Sequence, residues 1–149
     1  MRLLTVRYLL CGVFLTIAAV QDIRHREIKV FLPIVFSAVG ASLDLYGIAH
    51  GDLIAYELVL AVLPGLFLVL AAFAARGSVG LGDGYALAAA GLLIGERAAF
   101  LTLCLSVLAA ALAGIVMMAA GKAGKETKLP FLPFCLAGYT AAICIMALG

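Results

Sequence analysis

Four acidic side chains of this chain stand in or beside strongly apolar sequence: Asp22, Asp44, Glu57 and Asp83. An ionisable group in such a setting is costly and is a functional hypothesis by default. Asp22 lies in Ala19-Val20-Gln21-Asp22-Ile23-Arg24, and Asp83 lies in Gly80-Leu81-Gly82-Asp83-Gly84. Two carboxyl groups held close together cannot both ionise, because like charges oppose each other. The ionised member can then take a proton from water. The protonated member can polarise a carbonyl by donating a hydrogen bond. This is the chemistry of aspartyl proteolysis; it needs no metal or cofactor, and its titrations belong to the pair. Asp22 and Asp83 are therefore the candidate catalytic pair. They are 61 residues apart in sequence, so only the fold can join them.

The residues around Asp83 suit that chemistry. Gly80, Gly82 and Gly84 remove side chains and permit close approach by a neighbouring helix or an extended substrate. Irregular backbone of this kind is tolerated at membrane depth only where protein or a water cavity satisfies it.

The elements that must position the pair follow from composition. Of 149 residues, 66% are hydrophobic and 12% are charged, against about 45–50% and about 25% in soluble domains. The mean hydropathy is +1.25. Such a chain has too little polar surface to cover a water-soluble core, which predicts lipid as its main solvent. A spanning helix needs about 20 apolar residues. Six stretches qualify: Leu3 to Gln21, Val30 to Ala49, Leu53 to Ala75, the short Val79 to Gly95, Ala98 to Gly121, and Leu129 to Leu148. Continuous apolar runs without alternation exclude a β-barrel. The expectation is an all-α membrane protein of six transmembrane helices forming a single domain over residues 1–149. The apolar stretch near the N-terminus, with Arg2 and Arg7, reads as a retained span rather than a signal peptide.

Orientation follows from Lys and Arg in the loops. Arg24, Arg26, Lys29, Arg76, Lys122, Lys125 and Lys128 follow the first, third and fifth spans, whereas Arg2, Arg7 and Arg97 are on the opposite side. Both termini are then outside, and Asp22 and Asp83 share the cytoplasmic membrane face. Asp44, Asp52 and Glu96 read as ordinary outer-loop acids. Glu57, near the outer end of its span, reaches water by snorkelling or pairs with a neighbour. The net charge of +2 says nothing for nucleic acid, no basic cluster is dense enough to grip phosphates, and no nucleic-acid partner is expected. Arg24, Arg26 and Lys29 suit anionic lipid.

Cys11, Cys104, Cys135 and Cys144 form no C-x-x-C pair and read as small apolar packing residues. His25 and His50 read as solitary loop histidines, and no metal site is expected. Pro130 and Pro133 either start the last helix, where proline is tolerated, or open it near the pair so that substrate backbone can bind.

Three segments together resemble a known family. Gly80-Leu81-Gly82-Asp83 is similar to the GxGD motif of the type IV prepilin peptidases and their archaeal preflagellin relatives. Asp22-Ile23-Arg24-His25-Arg26-Glu27-Ile28 resembles the family's first-aspartate segment. Leu129-Pro130-Phe131-Leu132-Pro133-Phe134 resembles its Pro-Phe-x-Pro-Phe signature. The resemblance covers almost the whole chain, with the motifs in order. It implies a multi-pass protein of the inner, cytoplasmic membrane that cuts the short basic leader from type IV pilin-like precursors. Its partners would be that precursor, membrane lipid and, if it self-associates, a second copy. Larger members carry a cytoplasmic insert with paired CxxC motifs and also N-methylate the product; the sequence contains no such insert. It resembles instead the short members that serve tight-adherence pili. It departs from the family at Lys29 and Val30, where Pro-Asn is common, and at Tyr85, where Lys is common. A non-catalytic pilus or secretion assembly factor and a small proton-coupled transporter are the competing functions. The transporter calls for acids near the bilayer midplane and an inverted repeat, and the sequence displays neither.

Overall fold

The computed structural model describes residues 2–25, 29–51, 54–74, 80–121 and 130–148. Six helices follow in order: α1 (Arg2–His25), α2 (Phe31–Ala49), α3 (Ala55–Ala74), α4 (Leu81–Ile94), α5 (Glu96–Ala119) and α6 (Leu132–Leu148). Consecutive helices run in opposite directions. Arg26, Asp52, Arg76, Lys122, Lys125 and Lys128 lie outside the described residues, as do Glu27, Ile28 and Leu129 of the motifs.

Helices α1, α2, α3 and α5 are long and apolar enough to cross a membrane. The other two are shorter. Helix α4 has 14 residues and α6 has 17, or about 21 Å and about 25 Å of rise, against a hydrocarbon core of about 30 Å. Large apolar side chains face outward around the bundle, among them Leu9, Val13, Phe31, Phe67, Phe73, Ile115 and Met118. An outer surface of that kind suits a lipid solvent, and the chain has the character of a membrane protein.

Helix α4 is the centre. It touches α1, α2, α3 and α5, and Ala86, Leu87, Ala89, Ala90 and Leu93 are buried. Small residues allow this. A Cβ on Gly91 would overlap the Ala61 carbonyl oxygen of α3, and one on Gly84 would run into Val69. The backbones of α3 and α4 are thus in near contact, which gains dispersion where apolar burial offers little driving force. The helix ends at Gly95, whose φ of +80° favours glycine; its N–H donates to the Gly91 carbonyl at 2.8 Å, and α5 starts at the next residue.

Two features differ from expectation. Helix α1 runs past Gln21 to His25, so Asp22 is inside its last turns and His25 closes a helix rather than sitting in a loop. Asp44 is not an outer-loop acid. It lies within α2, is 5% exposed, and pairs with Arg7 of α1. The apolar residues on both sides of Asp44 carry the helix through it, and the Arg7 charge makes its burial tolerable.

The α3–α4 contact sets a test. Gly91→Leu forces the two backbones apart and is expected to destabilise the protein by about 3 kcal/mol, the upper range for overpacking. Phe67→Leu, on the outward-facing surface, is expected to change stability by about 0.5 kcal/mol or less. Thermal unfolding of the detergent-purified variants checks both.

Candidate active site

Asp22 is reached first from α1. Its side chain is buried, at 7% exposure, and its Oδ2 accepts a hydrogen bond from the Leu132 N–H at 3.0 Å. Leu132 is the first residue of α6. The first turn of a helix leaves backbone N–H groups without internal partners, and that end favours an anionic group. The carboxylate thus satisfies one such donor. Pro133, at the second helical position, has no N–H to satisfy and fits the first turn. Pro130 precedes the helix. The two prolines bracket the residue that contacts Asp22.

Asp83 is the third residue of α4 and is partly buried. Its own N–H donates to the Gly80 carbonyl at 3.1 Å, and its carboxylate accepts from the Gly80 N–H. The carboxylate bond is the third-residue half of a capping box; Gly80, at the cap, has no side chain to supply the other half. A Cβ on Gly80 would lie 3.0 Å from Asp83 Oδ2, so glycine leaves the carboxylate room. Gly82 is in the same turn, and Gly84 is buried against α3.

The two carboxylates are brought together. Asp22 and Asp83 lie within electrostatic reach of each other, across α1 and α4. Their helices are antiparallel. The end of α1, with Asp22, and the start of α4, with Asp83, therefore lie at the same end of the bundle. Cys135, one turn into α6, lies within electrostatic reach of the Asp83 charge and beside Ser106 of α5. The residue beside Asp22, Gln21, holds a buried side-chain oxygen with no hydrogen-bond partner among the described residues. The site is thus a junction of α1, α4 and α6, with exposed Arg24, His25, Lys29 and Tyr85 at the same end.

The other candidates are elsewhere. Asp44, Glu57 and Glu96 line a cavity of about 280 Å³ with Arg7 and Arg97 at the opposite end of the bundle. Glu57 accepts a long hydrogen bond from the Ile54 N–H at 3.4 Å and so caps its own helix. His50 stacks on Tyr46. Among the cysteines, Cys11 and Cys135 are buried as packing predicts, but Cys104 and Cys144 are exposed. The placement of Cys135 near Asp83 was invisible in sequence, where it is one cysteine in an apolar run.

A family model for the type IV leader peptidases matches residues 9–118. The chain belongs to the type IV leader peptidase family. The matched stretch contains both Asp22 and Asp83, and it ends before the Pro130-to-Pro133 segment. Neither the curated proteins nor the solved structures include a match. Membership in this family supports a peptidase activity.

The contact with α6 is separable from catalysis. Asp22→Asn keeps an oxygen for the Leu132 N–H and is expected to leave stability within about 1 kcal/mol of wild type. Asp22→Ala leaves that N–H buried and unpaired, and is expected to cost about 1–3 kcal/mol. Thermal unfolding in detergent distinguishes the two.

Proposed function

We propose that this chain is a membrane-embedded aspartic endopeptidase that removes the cytoplasmic leader of a type IV pilin-like precursor, with Asp22 and Asp83 as its catalytic pair. The observation that carries the proposal is that these two carboxylates lie within electrostatic reach of each other in a member of a leader peptidase family. In the reaction, one carboxylate is ionised and one is protonated. The ionised group takes a proton from water as the oxygen attacks the scissile carbonyl, and the protonated group donates a hydrogen bond to the carbonyl oxygen. The tetrahedral intermediate then collapses. Its C–N bond breaks, the leaving nitrogen takes a proton, and the pair returns to one shared proton. Gly80 leaves room beside the Asp83 carboxylate, and Gly84 lets α3 pack closely behind it. Pro130 and Pro133 hold the start of α6 where its backbone meets Asp22.

The proposal includes six spans with both termini outside and the pair at the cytoplasmic face of the inner membrane. The support is the bias of Lys and Arg toward the Asp22–Asp83 side. Short α4 fits this arrangement because other helices enclose it, so lipid does not set its length. A leader that is basic and cytoplasmic would meet the pair on that side.

Cleavage is the test. Co-expression with pilin-like precursors should yield a leaderless product, read as a mobility shift. Asp22→Asn and Asp83→Asn should each lower the rate by a factor of about 10³ or more while remaining in the membrane, since each removes one acid–base partner. The rate in detergent should trace a bell against pH: at low pH both groups are protonated and no base remains, and at high pH both are ionised and no acid remains. Wild-type activity in both Asn variants would rule out the pair. Failure of the wild type on every precursor would favour the assembly-factor reading.

A further inference from the structure

The strongest polar cluster outside the candidate active site is at the other end of the bundle. Arg7 is only 11% exposed. Its Nη2 donates to Asp44 Oδ1 of α2 and to the Leu92 carbonyl at 2.8 Å, and its Nε donates to the Leu93 carbonyl at 2.9 Å. Leu92 and Leu93 are in the last turn of α4. Carbonyls there have no N–H partner within their own helix, and the end carries partial negative charge. A guanidinium supplies both the fork of donors and the positive charge. Asp44 then leaves the buried group neutral overall. Helix α2 closes on the same point, since a Cβ on Gly40 would lie 2.8 Å from Leu92 Cβ and 3.1 Å from the Leu92 carbonyl oxygen.

The helices joined here are those that carry the aspartates. Arg7 is on α1, fifteen residues before Asp22; Leu92 is on α4, nine residues after Asp83. Between these ends, Phe14, Leu15 and Ala18 of α1 and Ala86, Leu87 and Ala90 of α4 belong to one apolar core. Apolar packing is non-directional, so one helix can slide against another by a discrete step. Three directed hydrogen bonds at one end oppose such sliding.

We propose that the Arg7–Asp44 pair, clamped on the Leu92 and Leu93 carbonyls, sets the axial register of α1 against α4 and thereby the spacing of Asp22 and Asp83. Arg7 is a positioning residue that acts from the far side of the bundle. The catalytic part of this inference rests on the proposed peptidase function; the register part does not.

Two variants test it. Arg7→Lys keeps the charge beside Asp44 but loses the planar fork. Arg7→Gln combined with Asp44→Asn removes both charges together, so neither is left buried alone. Nitroxide labels replace Arg24 on α1 and Leu81 on α4, both exposed, in a chain with serine at Cys104 and Cys144. Electron–electron resonance then reads the distance between the inner ends of the two helices. In membrane-inserted protein of either variant that distance should shift or broaden relative to the Arg7–Asp44 chain. In the unlabelled variants kcat for precursor cleavage should fall roughly 10- to 100-fold with KM unchanged, as misplacement of about 1 Å can do. Unchanged distances overturn the proposal. Changed distances with unchanged kcat overturn the link to the pair. A wild type that cleaves no precursor overturns the peptidase function, and the distance measurement still decides the clamp.

Discussion

Every charged group taken out of water in this fold has to be matched by protein, because hydrocarbon offers it nothing. That accounting explains the two ends of the bundle. At one end Asp22 is matched by the first N–H of α6 and Asp83 by its own helix cap. At the other, Arg7 is matched by Asp44 and two helix-terminal carbonyls. The Asp83 bond stays within its own helix end, but the Asp22 and Arg7 bonds each join two or more helices, so the bonds that make those charges tolerable also tie the bundle together. Tyr139 adds a further joint, donating its hydroxyl proton to the Tyr8 carbonyl at 2.6 Å and tying α6 to α1.

The shortest helix carries the most contacts. Helix α4 is enclosed on several sides, and its small residues let α3 lie against its backbone. Asp83 starts this helix, so the carboxylate is attached to the most constrained element of the fold. Asp22 is attached to α1, which meets α4 through the shared core and meets α6 through Leu132. A pair of acids on two such elements can hold a stable separation without any direct bond between them, and sharing a proton requires a stable separation.

Much of this was legible in the chain. Apolar run length located all six helices to within a few residues, because the membrane imposes one length scale on the sequence. The GxGD string and the first-aspartate segment singled out the two carboxylates, and their expected common side agrees with their proximity. Long-range chemistry was not legible. The Leu132–Asp22 hydrogen bond spans 110 residues, and no local pattern announces it. Asp44 was misread as a loop acid because it stands near the end of its apolar run. A usable signal existed: Arg7 and Asp44 are opposite charges equally far from the start of α1 and the end of α2, which antiparallel neighbours bring to one level, and buried ionisable groups in membranes pair. The extent of α1 was also underestimated, since hydropathy stops at Gln21 while the helical hydrogen bonds continue to His25.

The claim on which this account turns is that Asp22 and Asp83 meet within one chain. Thiol crosslinking in native membranes tests it most directly. Asp22→Cys and Asp83→Cys are combined in a chain whose four native cysteines are alanine, and a short bifunctional thiol reagent is added. Asp22→Cys combined with Glu96→Cys, at the opposite end of the bundle, is the control. The account predicts rapid intramolecular crosslinking of the first pair and none of the second. Failure of the first pair to crosslink, in inserted protein whose single thiols both react with a monofunctional reagent, would contradict it.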